Sequence, residues 1–357
     1  MPTPVPTRDD MIRWLRTTEP EALQPLFRDA LDLKHELLGR KVHFRGIVEF
    51  SNVCAKNCRY CGIRRDNKAV ERFQMTGEEI MECVRWAKEA GYGSVVLQSG
   101  ERSDAAYVAF VEGTVARIKR ETGMGITLSL GEQDVTTYRH WFEAGAHRYL
   151  LRIETSDPTL YAQLHPDDHS FDRRVECLRT LKAIGYQVGT GVMIGLPGQT
   201  EDDLANDILF YEAIDADMIG MGPFVVHRQT PLAPAADGFD AGRQLYRALT
   251  MIALTRLRLR DVNIASTTAL QALHPEGREM GLQAGANIIM PNLTHTRYRR
   301  HYQLYEGKPC LDENAAACRS CLEGRISAIG ETIGYGEYGD SLHFARRTGG
   351  ASGGDEA

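Results

Sequence analysis

The chain has 357 residues, 43% of them hydrophobic, and carries a formal net charge of −6. This length allows one large domain with a substantial core. The acidic balance and the lack of a dense Lys/Arg block argue against a nucleic acid as partner. The N-terminus lacks the basic and apolar regions of a signal peptide, and no apolar run has the length of a membrane helix. We therefore expect a cytoplasmic protein that acts on a small molecule and binds no membrane.

Short apolar runs alternate with helical patterns along most of the chain. One helix is predicted over about residues 10–38, and another begins at a capping box formed by Thr76 and Glu79. Strands are predicted at residues 42–51, 94–100, 125–130, 148–155, 187–196, 218–224, 263–269 and 287–291. Strands separated by helices in this way imply parallel βαβ units, and eight of them close naturally into a (β/α)8 barrel.

The fold class is therefore predicted as α/β, a TIM-type barrel with additions at both ends. Residues 1–41 are expected to form an N-terminal helical segment and residues 42–306 the barrel. Residues 307–347 are expected to form a short C-terminal extension that carries cysteines. The Gly/Ser-rich, acidic tail at 348–357 is predicted to be disordered.

Cys54, Cys58 and Cys61 follow the first predicted strand in a C-x3-C-x2-C pattern. A structural zinc site takes four ligands, whereas a four-iron cluster held by three thiolates keeps one iron open for an exogenous ligand. The spacing therefore favours a 4Fe–4S cluster, with a zinc site or inert thiols as the alternative. Cys83 and Cys177 lie on apolar helix stripes and are predicted to be small buried hydrophobes.

A second group of cysteines follows the eighth predicted strand in a C-x7-C-x2-C pattern. Its members, here called the C-terminal cysteine set, are Cys310, Cys318 and Cys321. Soft ligands at this density favour an iron–sulfur or zinc site, because a disulfide is disfavoured in the cytoplasm. Their position predicts a site near the mouth or surface of the barrel, far from the first cluster unless the tail folds back over the opening.

Polar residues follow several strands at the end of the barrel where such folds place their chemistry. These residues are Gln98, Ser99, Gly100 and Glu101 after the second strand, Thr127 and Ser129 in the third, and Arg152 and Glu154 in the fourth. Strand side chains alternate with period two, so Arg152 and Glu154 share a face, as do Thr127 and Ser129. Because a buried charge is costly unless it is paired, Arg152 and Glu154 either satisfy each other or bind a charged ligand. Arg174, at the start of a later helix, could reach a carboxylate.

The first cysteine motif, with the aromatic Tyr60 just before its last cysteine, resembles the signature of the radical S-adenosylmethionine (SAM) superfamily. The resemblance implies that Cys54, Cys58 and Cys61 are catalytic and hold a 4Fe–4S cluster whose open iron chelates SAM. It also implies reductive cleavage of SAM to methionine and a 5′-deoxyadenosyl radical.

The whole set of motifs resembles one family, the HydE radical SAM maturases of iron-iron hydrogenase, over about residues 42–321. The motifs are EFSNVC at 49–54, GIRRDN at 62–67, QSGE at 98–101, LSLGE at 128–132, GLPGQT at 195–200, Thr267-Thr268, MPN at 290–292, YQLY at 302–305 and the C-terminal cysteine set. The resemblance implies a long internal cavity and a precursor in which iron carries cysteine, carbon monoxide and cyanide. It further implies an electron donor such as flavodoxin or ferredoxin, a partner radical SAM enzyme and a scaffold GTPase.

The resemblance also assigns roles to individual residues. Contacts to SAM are expected from Tyr60, Gln98, Ser99, Gly100, Glu101, Arg152, Glu154, Arg174 and Met193, the last in a Gly-rich run similar to an adenine-contacting strand. Contacts to the substrate are expected from Thr127, Ser129, Met218, Thr267, Thr268, Met290 and Tyr302. The C-terminal cysteine set is expected to hold a second cluster, 2Fe–2S or 4Fe–4S, that is accessory to SAM cleavage.

One position departs from the family pattern. Ile153 stands where family members carry a His, at a position that should alternate outward. Two other functions therefore stay open. The chain could be a related radical SAM enzyme that acts on an organic molecule, in the manner of biotin synthase or methylornithine synthase. It could instead be an iron–sulfur scaffold or redox sensor without catalytic activity.

Overall fold

The computed structural model describes residues 4–236 and 238–349. Its helices are α1 (Arg8–Arg16), α2 (Pro20–Leu38), α3 (Gly77–Glu89), α4 (Ala105–Thr122), α5 (Val135–Glu143), α6 (Pro158–Leu164), α7 (Phe171–Ile184), α8 (Glu201–Ala213), α9 (Ala241–Leu259), α10 (Thr268–Leu273), α11 (Gly277–Gln283), α12 (Thr296–Arg299), α13 (Ala315–Ala328) and α14 (Leu342–Arg347). Its strands are β1 (Lys41–Ser51), β2 (Ser94–Ser99), β3 (Gly125–Ser129), β4 (Arg148–Leu150), β5 (Gln187–Thr190), β6 (Met193–Ile194), β7 (Met218–Ile219), β8 (Gly222–Pro223), β9 (Asn263–Ile264), β10 (Ile288–Ile289) and β11 (Thr332–Ile333).

The central feature is a barrel of parallel strands in the order β10-β1-β2-β3-β4-β5-β7-β9. The circle closes between β9 and β10 through a parallel bridge of Ala265 and Ile288 and a 2.9 Å hydrogen bond from the Ser266 amide to the Ile288 carbonyl. Apolar side chains of the strands and surrounding helices form one continuous core. The predicted (β/α)8 barrel is confirmed.

Five of the barrel strands, β4, β5, β7, β9 and β10, are shorter than predicted. The chain leaves the extended path beyond β4, and Glu154 adopts a φ of 67°. The predicted strands at 187–196 and 218–224 each break in two, and their second halves, β6 and β8, pair with each other in a separate small ladder. Residues 268–269 belong to α10 instead of the seventh strand. The C-terminal parts of these predicted strands, which carry the polar residues, therefore turn across the mouth of the barrel.

The single helix predicted over residues 10–38 is wrong, because the chain forms α1 and α2 with a break between them. The break precedes Pro20, the first residue of α2, and Glu19 is extended with ψ 120°. A proline disfavours the α conformation of the residue before it, so one continuous helix cannot run through Glu19. The start of α3 is as predicted, with reciprocal hydrogen bonds between Thr76 and Glu79.

After the barrel, the C-terminal residues reach its N-terminal end. Strand β11 pairs with the start of β1, aligning Thr332 with Lys41. The Asp340 carboxylate accepts hydrogen bonds from Arg148 Nε and Gln187 Nε2, each at 2.9 Å, at the starts of β4 and β5. This end of the barrel is therefore covered.

The predicted domain limits stay predictions, and residues 350–357 of the predicted disordered tail lie outside the described residues. None of the described helices is long and apolar enough to cross a membrane.

Candidate active site

The loop that carries the first three cysteines, residues 52–67 and here called the cysteine loop, follows β1 at the C-terminal end of the barrel. The Cys54 sulfur accepts hydrogen bonds from the amides of Lys56 (3.4 Å) and Glu101 (3.3 Å). A Cβ atom on Gly100 would lie 2.5 Å from the Val53 carbonyl oxygen. Gly100 is therefore required for the end of β2 to pack against the cysteine loop.

Aromatic and imidazole rings from the 158–171 region surround the other two cysteines. His169 Nε2 lies 3.7 Å from the Cys58 sulfur, and its Nδ1 lies 2.7 Å from an Asp168 carboxylate oxygen. The Tyr60 hydroxyl lies 3.4 Å from His165 Nε2, and the two rings meet edge to face. Neither histidine belongs to the predicted site, because each is distant from the motif in sequence and follows α6 instead of a strand.

The three thiols suit a cluster whose binding displaces their protons. Burial raises the pKa of Cys58 to about 12 and also raises the pKa of Cys54 and Cys61. In the metal-free protein the thiols are therefore protonated at neutral pH, and metal binding must release those protons. The sulfurs do not belong to any set of ligand atoms that converges within 4.8 Å in the described part of the chain.

Arg152 and Glu154 face the mouth together, as the strand alternation predicted. Arg152 Nη2 lies 3.0 Å from Glu154 Oε2, but this pair lacks hydrogen-bond alignment. Glu154 Oε2 and Arg152 Nε are both buried without a hydrogen-bond partner in the described residues. Burial raises the pKa of Glu154, and the nearby Arg152 charge opposes that rise. An orphaned carboxylate oxygen beside an orphaned guanidinium N–H suits a ligand that carries both signs, as SAM does.

Arg174 lies near the start of α7 and is buried. A charged side chain at the start of a helix is ordinarily solvated. Its Nε donates to Glu132 Oε1 at 2.5 Å, and its Nη1 donates to the Arg152 carbonyl at 2.7 Å. Lys56 lies 3.4 Å from a Glu101 carboxylate oxygen and 3.7 Å from one of Glu132. Two cations and two carboxylates thus form one buried cluster beside the cysteine loop.

Glu132 and Lys56 were not assigned by sequence reasoning. Glu132 stands in the motif LSLGE directly after the third strand, and polar residues at the ends of the neighbouring strands were assigned to the site. The same position at a strand end could have identified Glu132. Lys56 lies inside the cysteine motif, but only the folded chain shows which carboxylates it meets.

Ser99 departs from its expected role in one respect. Its hydroxyl is bonded within the protein, 2.6 Å from the Tyr107 hydroxyl and 2.7 Å from the Gly100 carbonyl oxygen. The backbone of this segment meets the cysteine loop, as the Glu101 amide shows. The predicted SAM contact of Ser99 stays a prediction.

The interior of the barrel contains a small cavity. Thr127, Met218 and Met290 line this cavity, together with Arg45 and Asn263. The Thr127 and Thr267 hydroxyls are buried without a hydrogen-bond partner in the described residues. Ser129, Thr268 and Met193 do not line this cavity.

Nearer the mouth, Tyr302 is buried, and its hydroxyl accepts a hydrogen bond from Gln98 Nε2 at 3.2 Å. Glu49, opposite Gln98 on β1, pairs with Lys308 at 2.5 Å, and both side chains are less than one tenth exposed. Lys308 comes from the C-terminal extension, two residues before Cys310. The start of the extension therefore lies at the mouth, beside the end of β1.

The C-terminal cysteine set is only partly assembled in the structure. Ligand atoms of Cys310, Cys318 and Glu313 lie within 4.8 Å of one another, whereas Cys321 is exposed on α13. Arg278 Nη2 lies 3.5 Å from the Cys310 sulfur. A hydrogen bond from Cys318 and the Arg278 charge lower the pKa of Cys310. This set can bind metal through two thiols and a carboxylate, and Glu313 was absent from the predicted ligands.

Cys83 and Cys177 are buried among apolar residues, as predicted.

Comparison with known proteins places this site in a family. Residues 48–211 match the model of the radical SAM superfamily. The HydE subunit of the Thermotoga maritima iron-iron hydrogenase maturase is 48% identical over 311 residues, 87% of each chain. The chain belongs to the HydE family.

Two likenesses to methylornithine synthases are weaker. The 3-methylornithine synthase of Methanosarcina barkeri is 31% identical over 79% of this chain and 78% of its own. A crystal structure of methylornithine synthase superposes with a TM-score of 0.79 at 27% identity and covers 92% of this chain and 94% of that one.

Membership of the HydE family confirms the predicted radical SAM enzyme and its barrel. The cofactors of such an enzyme are a 4Fe–4S cluster and SAM. The cysteine loop is the predicted ligand of the cluster, and the Arg152–Glu154 pair and Arg174 are the predicted contacts of SAM. The individual residue roles remain predictions.

Proposed function

We propose that this chain is a maturase of iron-iron hydrogenase that cleaves SAM reductively and acts on an iron precursor bearing cysteine, carbon monoxide and cyanide. The observation that carries the proposal is the 48% identity to the Thermotoga maritima maturase subunit, which extends over 87% of both chains. The cysteine loop, the charged cluster and the barrel cavity supply the parts that such a reaction needs.

Cys54, Cys58 and Cys61 would hold the cluster at the mouth of the barrel. The bound cluster supplies the electron that cleaves the sulfonium of SAM to methionine and a 5′-deoxyadenosyl radical. Three protein thiolates leave one iron for the amino and carboxylate groups of SAM. The loop's position at the C-terminal end of the strands directs this chemistry into the barrel.

Arg152, Glu154 and Arg174 would bind the charged parts of SAM. Glu154 offers a buried carboxylate oxygen that has no donor, which suits a hydroxyl or ammonium group. Arg174 uses Nε and Nη1 within the protein, while no hydrogen bond of its Nη2 is formed within the described residues. That N–H group can donate to the ligand's carboxylate without disturbing the ion pair with Glu132.

The cavity below the mouth would hold the precursor. Its lining combines methionine side chains, which exclude water, with the free Thr127 hydroxyl. An organometallic ligand with carbonyl and cyanide groups presents weak acceptors and little hydrogen-bonding demand. A mostly apolar cavity with a few hydroxyl donors fits such a ligand.

As a maturase, the protein works with other hydrogenase maturases. We extend this to a partner radical SAM enzyme that makes the precursor and a scaffold GTPase that receives the product. We also propose a flavodoxin or ferredoxin as electron donor and a second iron–sulfur cluster at the C-terminal cysteine set. Cys310, Cys318 and Glu313 support that second site, since they already converge.

The deciding experiment is anaerobic reconstitution followed by an assay of SAM cleavage with a chemical reductant. We expect 5′-deoxyadenosine to form, and its yield to rise when the iron–cysteine precursor is added. Addition of the products to an extract containing the other maturases should then activate apo-hydrogenase. SAM cleavage that never responds to the precursor would refute the maturase assignment.

A related enzyme acting on an organic substrate is the second candidate, because methylornithine synthase is 31% identical over 79% of this chain. The same assay distinguishes the two. In a parallel arm, a mixture of free amino acids replaces the precursor. Product formed from an amino acid, with none from the precursor, would favour this candidate.

A further inference from the structure

Arg72 lies just beyond the cysteine loop and makes an unusual number of contacts with it. Its Nη1 donates to the carbonyl oxygens of Asn52 and Ile63, each at 2.7 Å. Its Nη2 donates to the carbonyl oxygens of Arg64 (2.7 Å), Asn67 (3.1 Å) and Arg65 (3.4 Å). One guanidinium therefore joins five backbone carbonyls of a single loop.

These carbonyls lie on both sides of the cysteines. Asn52 precedes Cys54 by two residues, and Ile63 follows Cys61 by two. Arg72 thus ties the beginning of the loop to its end. Carbonyl oxygens only accept hydrogen bonds, so a convergent group of them requires a donor with several N–H groups. The planar guanidinium, with five such groups in a fixed fork, meets that requirement, whereas an ammonium offers three at one point.

Residues 52–67 contain neither helix nor strand, so the path of the loop depends on individual hydrogen bonds. Asn52 ties its beginning, because its Nδ2 donates to the Glu71 and His301 carbonyls and its Oδ1 accepts from the Phe73 amide. Asn57 and Asn67 form shorter-range ties, to Asp66 and to the Gly62 carbonyl, whereas Arg72 alone bonds to carbonyls on both sides of the cysteines among the side chains described. Arg72 has no carboxylate within ion-pair distance in the described residues, so its donors are committed to the loop.

We propose that Arg72 is a positioning residue that holds the cysteine loop in its metal-binding conformation before any metal arrives. Fixing a flexible loop costs conformational entropy, and a loop ordered in advance does not incur that cost on cluster binding. The inference rests on the proposed function only for the identity of the cluster. Its first test uses metal-free protein and does not depend on SAM cleavage.

The loop amides provide a direct readout. Those of Ala55, Arg59, Gly62 and Arg65 donate to carbonyls of Glu101, Leu164, Leu304 and Lys56, at 2.8–2.9 Å. These amides should be protected from hydrogen exchange only while the loop keeps its conformation. We therefore propose hydrogen–deuterium exchange of metal-free wild type, Arg72→Lys and Arg72→Gln. The control is Arg65→Gln, since the exposed Arg65 side chain makes only a 3.3 Å bond to the Ala55 carbonyl and a pair with Asp66.

We expect exchange of the loop amides to accelerate about tenfold or more in both Arg72 variants, because each loses charge-assisted hydrogen bonds. Barrel strands and the Arg65→Gln loop should exchange as in wild type. After reconstitution, the Arg72 variants should lose iron to a chelator about tenfold faster and give a broadened electron paramagnetic resonance signal. Lysine should fail to restore either property.

Two outcomes would overturn the proposal. Unchanged exchange in the loop of Arg72→Lys would mean that the loop is fixed by other contacts. Equal acceleration in the loop and the barrel strands would make Arg72 a residue of general stability. If Arg72→Gln fails to fold, Arg72→Lys still decides between these outcomes, because it keeps the charge and changes only the donor geometry. Failure of SAM cleavage in wild type would count against the proposed function and leave the exchange result standing.

Discussion

The buried pair of Arg174 and Glu132 allows a quantitative prediction for Arg174→Met. The two side chains are 8% and 9% exposed, and Nε lies 2.5 Å from Oε1. Removal of the arginine leaves the Glu132 carboxylate buried, with Lys56 at 3.7 Å as its remaining cation. The Arg152 carbonyl also loses its donor. Both effects destabilise the folded protein.

The magnitude follows from the cost of an uncompensated buried charge. Breaking a buried ion pair from one side costs about 3–5 kcal/mol, and partial compensation by Lys56 places this case near ~3 kcal/mol. The double variant Arg174→Met/Glu132→Gln leaves no unpaired charge. It should therefore recover more than half of the lost free energy of unfolding, which a double-mutant cycle measures as coupling.

The pair also predicts a pH dependence. Burial acts to raise the pKa of Glu132, but the charge and hydrogen bond of Arg174, together with the Lys56 charge, outweigh it, and the pKa lies below its usual value. A carboxylate with a depressed pKa contributes stability above its unfolded pKa of about 4.3, and this contribution is lost as the pH falls through the folded value. The difference between wild type and Arg174→Met should be largest at neutral pH and shrink in acid.

Urea denaturation of the metal-free proteins, followed by circular dichroism, measures these free energies. The matched control is Arg173→Met on the same helix, whose pair with Glu176 is exposed and worth about 0–1 kcal/mol. If Arg174→Met costs no more than this control, or if the double variant is simply additive, the buried-pair reasoning is refuted. SAM binding, measured separately, should also fall in Arg174→Met.

Four other changes have expected outcomes. Cys58→Ala should abolish the reducible cluster and 5′-deoxyadenosine formation, because a missing thiolate leaves the cluster underligated, and retained activity would contradict the radical SAM assignment. Glu154→Gln should weaken SAM binding by about 1.5–3 kcal/mol in a calorimetric titration with the cluster spectrum intact. The wild-type affinity should fall as the pH drops through the raised pKa of Glu154, and the variant's should stay flat. Replacement of the whole C-terminal cysteine set by alanine should remove part of the iron but leave SAM cleavage, and a folded variant without 5′-deoxyadenosine would place the second cluster on the catalytic path. Hydrogen bonds to Asp261 and Asp215 raise the pKa of His343, so His343→Gln should destabilise the protein at pH 6, and the difference from wild type should vanish as the pH rises through that pKa.

The sequence by itself determined the features that rest on local periodicity and spacing. Apolar runs alternating with amphipathic helices implied the parallel barrel, since burial on both faces of a parallel sheet demands such runs. The cysteine spacing favoured an iron–sulfur cluster over a structural zinc site, because three soft ligands on one loop restrict the possible metals. Strand alternation predicted that Arg152 and Glu154 share a face, and the two side chains do lie together, although both residues follow the end of β4.

Tertiary structure alone decided which charges meet. Arg174 pairs with Glu132, 42 residues earlier, and Lys308 returns from the C-terminal extension to pair with Glu49, 259 residues earlier. Sequence patterns carry no signal for such pairs, because each partner is an ordinary polar residue on its own element. The strand ends were also beyond prediction: Glu154 adopts φ 67° because the surrounding fold holds it there against its intrinsic preference. Hydrogen bonds and ion pairs between distant segments form only in the closed barrel, once the C-terminal extension has packed against it.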